Sequence, residues 1–443
     1  MPAGYTYLNL GSARSILAQR LQDTGLVFFG GTLTADLNAC IVEAVRAWQA
    51  FTASYQQRAA FSTANATPFY DLTSVLSPGC LSYTVTDRDL VGVILSRLLE
   101  PPLTTVWTGT GQFTFPAIMN ALQARLNRFL GDTGVVITHT TQASGTAPVT
   151  RVYLDEGILD VRRAAWVNGS GVPTVLWRDD QFAMQTFRFS AAAQDPPAVY
   201  GMVTVPPVGV EVYPPGSVAG TLDLLVVRAG VTVGTTPSAV SNTPVVLGIP
   251  DDLAWAVTFG ALSDLLSSDG PARDTARAAY CEQQYQAGVA VAKLNPTVMM
   301  SMVAGVPVWT GSVFELDAFQ TSWQATAGPP AFVGMAGRNL AALGPVPNAV
   351  QTVTMDVVPN IPVPAADSDV LQADRGSLDA ILDYAQHLAS FPMGGAEFQA
   401  TDKLRQSFML AAAVENSRIR NLAVFQDVFK QPAQRQQAEV VRV

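Results

Sequence analysis

Catalytic chemistry would most often need histidine, and the chain of 443 residues has two, His139 and His387. His139 lies in a run of isoleucine and threonine that predicts a strand, and His387 lies on an amphipathic helix. The two are far apart in the sequence, and neither belongs to a motif. A zinc site would also need cysteine partners at fixed spacing, which the sequence lacks. We therefore interpret both histidines as structural side chains.

Adjacent carboxylates occur three times, at Asp155-Glu156, Asp179-Asp180 and Asp251-Asp252. Neighbouring residues of a strand point to opposite faces, so such a pair does not face itself across a glycoside. The pair after Pro250 stands at a predicted helix start, where negative charge offsets the helix dipole. The pair after Arg178 is typical of a turn with a local ion pair. These patterns favour structural roles.

Other catalytic signatures are incomplete. The segment 109–111 has two of the three glycines of a dinucleotide site, and 169–171 is too short for a nucleophile elbow. The cysteines Cys40, Cys80 and Cys281 have no metal-binding spacing and are interpreted as buried thiols. We therefore expect no enzymatic activity, no metal and no cofactor.

Composition adds a constraint on the surface. Charged residues make up 14% of the chain, against about 25% in ordinary soluble proteins, and mean hydropathy is +0.23. There is no uncharged apolar run of membrane-spanning length and no basic residue ahead of the first apolar segment, so we expect no membrane and synthesis in the cytoplasm. The chain has too few charged residues to cover its own surface, so we expect much of that surface to be buried against other subunits in an obligate oligomer.

The net charge of −9 argues against a sequence-specific nucleic-acid protein, which usually carries a basic patch. Trp48 and Trp255 lie on predicted helix stripes and are interpreted as core residues. Trp166 after Arg162-Arg163, and Trp177 beside Arg178, come closest to a basic-aromatic platform. The cluster Met299, Met300 and Met302 fits core packing and also an inter-subunit contact.

Periodicity predicts an α+β fold: a multi-helix bundle with an inserted antiparallel β-sandwich or barrel module and a C-terminal helical extension. Helices are predicted over about 34–58, 86–99, 116–131, 250–269, 271–294, 378–390 and 401–422. The expected divisions are an N-terminal helical part of the bundle (1–131), a β-rich module (132–246), a helical hairpin completing the bundle (247–300), an extended or β segment with a Gly/Pro/Ala-rich linker (301–366), and a C-terminal helical module with an extended tail (367–443).

Two stretches carry a resemblance to a known family. The first runs from Leu37 to Leu76 and includes Glu43-Ala44-Val45-Arg46-Ala47-Trp48 and Phe69-Tyr70-Asp71-Leu72. The second runs from Ile249 through Gly260-Ala261-Leu262 to Gln284-Tyr285-Gln286-Ala287-Gly288-Val289. Over roughly 34–295, with Leu176-Trp177-Arg178 between them, the chain resembles head–tail adaptor (connector) proteins of the neck of tailed bacteriophages.

The resemblance implies a structural virion protein of the neck, made in the host cytoplasm. It implies a ring of identical subunits, commonly twelve, that binds the portal on one side and tail or neck proteins on the other. DNA would pass through the channel without sequence-specific binding. Alternatives are a stopper, a tail terminator, a decoration protein, or a virion protein that binds a glycan receptor.

The last residues offer candidate contacts with a neighbour. The tail 431–443 is polar except for its end, and we expect it to become ordered on assembly. Its predicted contacts with the portal or another neighbour are Arg435, Val440, Val441 and Arg442.

Overall fold

The computed structural model is an α+β protein with two curled sheets and a C-terminal helical stretch, as predicted. The residues that the structure describes are 7–23, 34–76, 80–81, 83–100, 112–180, 184, 192–233, 244–294 and 297–419.

Helices come from the two ends and the middle of the described chain. They are α1 (Leu10–Arg20), α2 (Thr34–Thr52), α3 (Leu72–Val75), α4 (Asp87–Arg97), α5 (Phe115–Thr133), α6 (Ala254–Ser267), α7 (Thr275–Leu294), α8 (Val313–Phe319), α9 (Leu378–Ser390), α10 (Gly395–Ala400) and α11 (402–419).

Local signals set several helix ends. Thr86 and Asp89 form a capping box at the start of α4, each side chain accepting from the other residue's backbone N–H. Thr114 caps α5, whose first turn contains Pro116, and α5 ends at Gly134 in the left-handed conformation. The sequence predicts the start of α4 from Thr86 and that of α5 from Pro116, and both helices begin near these positions. Helix α5 continues past Gly131, its predicted end, because the left-handed residue that ends it is Gly134.

The helices share one core. Nearly every residue of α6 is buried, and α6 packs against α5 and α7. The C-terminal helices join this core, because α9 packs on α2 and the ring of Phe408 in α11 lies 5.7 Å from that of Trp48. The predicted C-terminal helical extension therefore packs directly on the N-terminal bundle.

The strands are β1 (Gln57–Ser62), β2 (Phe69–Asp71), β3 (Thr138–Ala143), β4 (Val149–Tyr153), β5 (Ile158–Val167), β6 (Pro173–Arg178), β7 (Val199–Val203), β8 (Gly209–Gly216), β9 (Thr221–Arg228), β10 (Val298–Val303), β11 (Val306–Ser312), β12 (Ala327–Gly328), β13 (Phe332–Ala336), β14 (Leu340–Gly344), β15 (Val346–Pro347) and β16 (Thr352–Val357).

These strands form two seven-stranded sheets and a small pair, β12 with β15. Sheet 1 has the order β1-β16-β10-β11-β13-β14-β2, and sheet 2 has the order β3-β9-β5-β6-β7-β8-β4. Each is antiparallel apart from one parallel pair, β11 with β13 and β6 with β7. Sheet 2 lies within the β-rich stretch that the sequence predicts, and it encloses its own apolar core.

Sheet 1 differs from the prediction. The stretch 326–366, expected to be a linker or extended arm, instead contributes β12 to β16, and β14 is buried throughout. Its small residues serve close packing: a Cβ on Gly334 would lie 3.0 Å from the Val313 Cα, and one on Gly344 would lie 2.5 Å from a Leu316 methyl. The glycines thus let α8 lie directly on the sheet.

Two further bounds differ. Helix α2 ends at Thr52 instead of near Arg58, because Ala53 has a φ of 54° and the chain turns into β1. The predicted extended segment 303–319 ends in α8, which begins at a capping box formed by Ser312 and Glu315. Within the described residues, the helices are too short or too polar to cross a lipid bilayer.

Candidate functional site

One face of sheet 1, formed by β10, β11 and β16, exposes apolar side chains, including two of the three predicted methionines. In β10, Met302 pairs with Pro307 of β11 and Thr354 of β16, so these three side chains share one face. Trp309 stands two residues beyond Pro307 and returns to that face. Met300 pairs with Asp356 on the same side. The tight turn Ala304-Gly305, with positive φ at both residues, fixes this register.

Helix α8 extends this apolar face. Trp309 pairs with Phe332 in β13, and the Phe332 ring lies 6.0 Å from that of Phe319 at the end of α8. The exposed fractions are 61% for Trp309 and 70% for Phe319, which is high for aromatic side chains. We call Met300, Met302, Pro307, Trp309 and Phe319 the apolar face; Phe332, which is 8% exposed, belongs to the core beneath it.

The opposite side of sheet 1 is an ordinary core, with Val303, Val353 and Met355 buried. At the border of the apolar face, the Arg58 guanidinium donates to the Asp356 carboxylate at 2.8 Å. An apolar centre with a charged border is the usual anatomy of a protein interface.

The methionine cluster is therefore divided. Met300 and Met302 are half-buried on the apolar face, whereas Met299 sits at a β-bulge between Val298 and Met300. Their predicted contact with another subunit stays a prediction. Trp309 and Phe319 were not singled out from the sequence, although the two-residue turn after Val303 would have placed Trp309 beside the methionines.

The arginines and tryptophans that the sequence offers as a nucleic-acid platform have partners within the protein. Trp166 is fully buried, and its Nε1 donates to Asp195 at 3.0 Å. Trp177 is exposed, but its neighbour Arg178 and the nearby Arg162 both pair with Asp160 at 3.0 Å. Asp160 offsets one of these two positive charges, which weakens the basic patch that a nucleic-acid platform would need.

A buried polar network ties sheet 2 to α8. Arg163 of β5 donates from Nε and Nη2 to Asp317 of α8 at 2.6 and 2.9 Å, and from Nη2 to Gln324 at 2.9 Å. Gln324 donates in turn to Asp223 of β9 at 2.7 Å, and Trp323 Nε1 donates to Asp317 at 2.8 Å. The Nη1 of Arg163 is buried without a hydrogen-bond partner, 3.9 Å from the Asp223 carboxylate. The other hydrogen bonds fix the relative position of the elements they join.

Both histidines have structural partners. His139 hydrogen-bonds Asp223, and its ring lies 4.5 Å from the Phe69 ring at a tilt of 33°. His387 is buried between Tyr280 and Thr401, each 2.9 Å from a ring nitrogen. Burial lowers the pKa of His387 to about 4, so it is neutral at pH 7. The contacts agree with the structural interpretation of each side chain.

The carboxylates of Asp251 and Asp252 form hydrogen bonds with segments that are distant in the sequence. Asp251 accepts from the N–H groups of Thr84 and Val85 at 2.7 and 2.9 Å, and Asp252 accepts from the N–H of Ile361 at 3.1 Å. The N-cap residue of the turn is Pro250, which has no side-chain cap, and the hydrogen bonds of the two carboxylates go to the distant groups. Burial raises the pKa of Asp252 to about 7. Their main role is therefore to hold these segments together.

Two other sets of candidates can be placed. Cys80 and Cys281 are buried, and burial raises the pKa of Cys281 to about 12. In the described part of the chain, no three His, Cys, Asp or Glu side chains come together as a possible metal site. Arg435, Val440, Val441 and Arg442 lie outside the described residues.

Comparison with known families identifies part of this architecture. Residues 88–307 match the family model of the SU10 adaptor protein, a phage head–tail adaptor family. The match begins in α4, contains α5, sheet 2, α6 and α7, and ends in the β10–β11 hairpin that carries Met302. No curated protein matches the chain. This match, over just under half of the chain, supports a structural adaptor role in a phage virion.

Proposed function

We propose that the chain is a head–tail adaptor that forms a ring, of twelve subunits by resemblance, between the portal and the tail. The family match over residues 88–307 carries the proposal. Low charge supports it, because a ring subunit buries two different flanks as well as its upper and lower faces. Portal, tail and neck proteins are the proposed partners, and the neck of the virion is the proposed location.

The apolar face is the proposed contact between neighbouring subunits. Trp, Phe and Met are enriched at interfaces, and Trp309 and Phe319 are more exposed than a monomer would favour. Met300 and Met302 lie on the same surface and adapt to an uneven partner surface. Burying this face against the next subunit would remove the apolar area from water.

DNA is proposed to pass through the ring without sequence-specific binding. The net charge of −9 supports this proposal, because an acidic channel surface would repel phosphate and would not hold the DNA. In this proposal the protein has a structural role, with no catalytic activity, no cofactor and no association with a membrane.

The first experiment is a mass measurement of the purified chain, alone and mixed with a portal ring. A species near twelve subunits, or a monomer that becomes a ring on the portal, supports the adaptor proposal. A stable monomer or trimer that ignores the portal would refute it and would turn attention to sheet 2 as a receptor-binding module.

Replacing Trp309 by glutamate is expected to raise the concentration needed for ring assembly by at least about tenfold, because central aromatic side chains dominate interface energies. Trp177→Glu is the matched control, since Trp177 is 67% exposed on sheet 2, away from the apolar face. Sedimentation velocity over a range of concentrations measures the change. Equal assembly of the two variants would exclude the apolar face as the subunit contact.

Truncation before Gln431 tests the predicted tail contacts. If Arg435, Val440, Val441 and Arg442 bind a neighbour, the truncated chain should fold normally but bind the portal ring at least about tenfold more weakly. Cosedimentation with the portal measures this, and melting temperature reports folding. Unchanged binding would remove the tail from the proposal while leaving the ring intact.

A further inference from the structure

A cleft of about 420 Å³ opens between the C-terminal ends of α5 and α7, the start of α8 and the β13–β14 hairpin. Its size lies within the range of about 300–1,000 Å³ that ligand pockets occupy. Three basic residues line it, Arg162, Lys293 and Arg338, and its described lining contains no Asp or Glu. In an acidic chain with three lysines this is an unusual concentration of positive charge.

Arg338 is the central observation. It is 6% exposed, and its backbone N–H donates to Val135 at 2.7 Å at the end of the hairpin. Among the described residues its Nε has no hydrogen-bond partner and its guanidinium forms no ion pair. Burial raises the pKa of Asp252 and the positive charge of Arg338 lowers it, but the Asp252 carboxylate accepts a hydrogen bond from the backbone N–H of Ile361 and none from Arg338. A buried charge without a partner is costly, so an anion is expected to compensate it.

Two neighbours add to this unused capacity. The hydroxyl of Thr297 is buried and lacks a hydrogen-bond partner in the described structure. Lys293, at the last turn of α7, is exposed and makes no ion pair with any described residue. Arg162, in contrast, is already paired with Asp160 at 3.0 Å. Two uncompensated cations and one free hydroxyl therefore line the same cleft.

The apolar walls of the cleft argue for an occupant larger than a simple anion. Leu294 and Phe314, which also line the cleft, are 66% and 55% exposed. An oxyanion alone would leave these apolar side chains in water. We propose that the cleft binds a peptide segment of a neighbouring protein in which a carboxylate side chain adjoins a large apolar one. The inference rests on the proposed function, because an adaptor has such neighbours.

The test uses the whole chain and short peptides. The probe is N-acetyl-Leu-Glu-Phe amide, with the neutral Leu-Gln-Phe peptide and inorganic phosphate as comparisons, and methyl NMR of Leu294 and Met335 as the readout. The acidic peptide is expected to bind at least about tenfold more tightly than the neutral one. Equal binding of the two peptides, or binding of phosphate alone, would overturn the proposal.

Charge reversal locates the site. Lys293→Glu is expected to weaken binding of the acidic peptide by at least about tenfold. Lys403→Glu makes the same charge change at an exposed lysine of α11, outside the cleft lining, and should leave binding unchanged. Equal losses in both variants would mean that only the net charge matters, which would contradict a specific cleft.

Arg338→Met separates binding from folding. If Arg338 is held for a ligand, the variant should lose peptide binding while its melting temperature rises, because an uncompensated buried charge has been replaced by an apolar chain. A lower melting temperature with unchanged peptide binding would refute the inference. These measurements need no portal, so the peptide-binding proposal can be refuted while ring assembly is confirmed. Likewise, peptide binding can be confirmed while ring assembly is refuted.

Discussion

Replacing Arg163 by methionine is expected to lower the free energy of unfolding by about 3–5 kcal/mol. The Arg163 side chain is 1% exposed and that of Asp317 is 7% exposed, and they are joined by two hydrogen bonds of 2.6 and 2.9 Å. Without the arginine, the Asp317 carboxylate would remain buried with only the indole N–H of Trp323. A denaturant titration measures the loss.

Two variants make the expectation specific. Arg163→Met combined with Asp317→Leu should regain most of the lost stability, because the stranded carboxylate is removed together with its partner. Arg58→Met breaks the Arg58–Asp356 pair, whose arginine is 61% exposed, and should change stability little. Similar losses in Arg163→Met and Arg58→Met would contradict the argument that burial of the pair makes it important.

The position of this pair explains why it should matter beyond its own energy. Arg163 belongs to β5 in sheet 2, whereas Asp317 belongs to α8, which lies on sheet 1. The sheets come from different parts of the chain, so their relative placement depends on contacts of this kind. If the apolar face and sheet 2 contact different neighbours in the virion, the network keeps the two surfaces in register.

Local chemistry made most helices predictable. The predicted span 378–390 agrees with α9, because its apolar residues recur at helical spacing and Ser390 is followed by Phe391-Pro392. The starts of α4 and α5 were recognisable from Thr86 and Pro116 for the same reason. Capping and periodicity involve residues within a few positions of each other, so a single sequence contains them fully.

Sheet 1 could not be predicted from such local signals, because its strands pair across long distances in the sequence. Its strand β1 pairs with β16, so Phe61 lies opposite Val353, almost three hundred positions later in the chain. The glycines and prolines of 326–366 are typical of a linker until α8 is placed on them. Their use as small packing surfaces for Leu316 depends on a partner that only the fold supplies.

The candidate surfaces were predictable in part for the same reason. Met300 and Met302 stood out as a cluster, but the apolar face needs the strand register that adds Trp309 and the helix that adds Phe319. Arg338 carries no sequence signal at all. Its importance rests on burial without a partner, which is a property of the folded chain alone.

The α6–α7 hairpin of the adaptor family region depends on one close approach. A Cβ on Gly288 of α7 would lie 2.3 Å from the Cβ of Ala256 and 3.3 Å from the Trp255 ring. The Ala256 methyl is held by its own backbone, so the helices would have to separate. Gly288→Ala is therefore expected to lower the free energy of unfolding by about 1–3 kcal/mol, although alanine favours helix.

The same substitution elsewhere should have the opposite sign. Gly92 lies within α4, and a Cβ there would meet nothing within 4 Å. Gly92→Ala should therefore raise the free energy of unfolding by about 0.5–1 kcal/mol, the helix propensity of alanine over glycine. Parallel urea titrations compare the two variants. If both substitutions were stabilising, the space between α6 and α7 would accommodate a methyl group at position 288. The close packing of the hairpin would then not require glycine there.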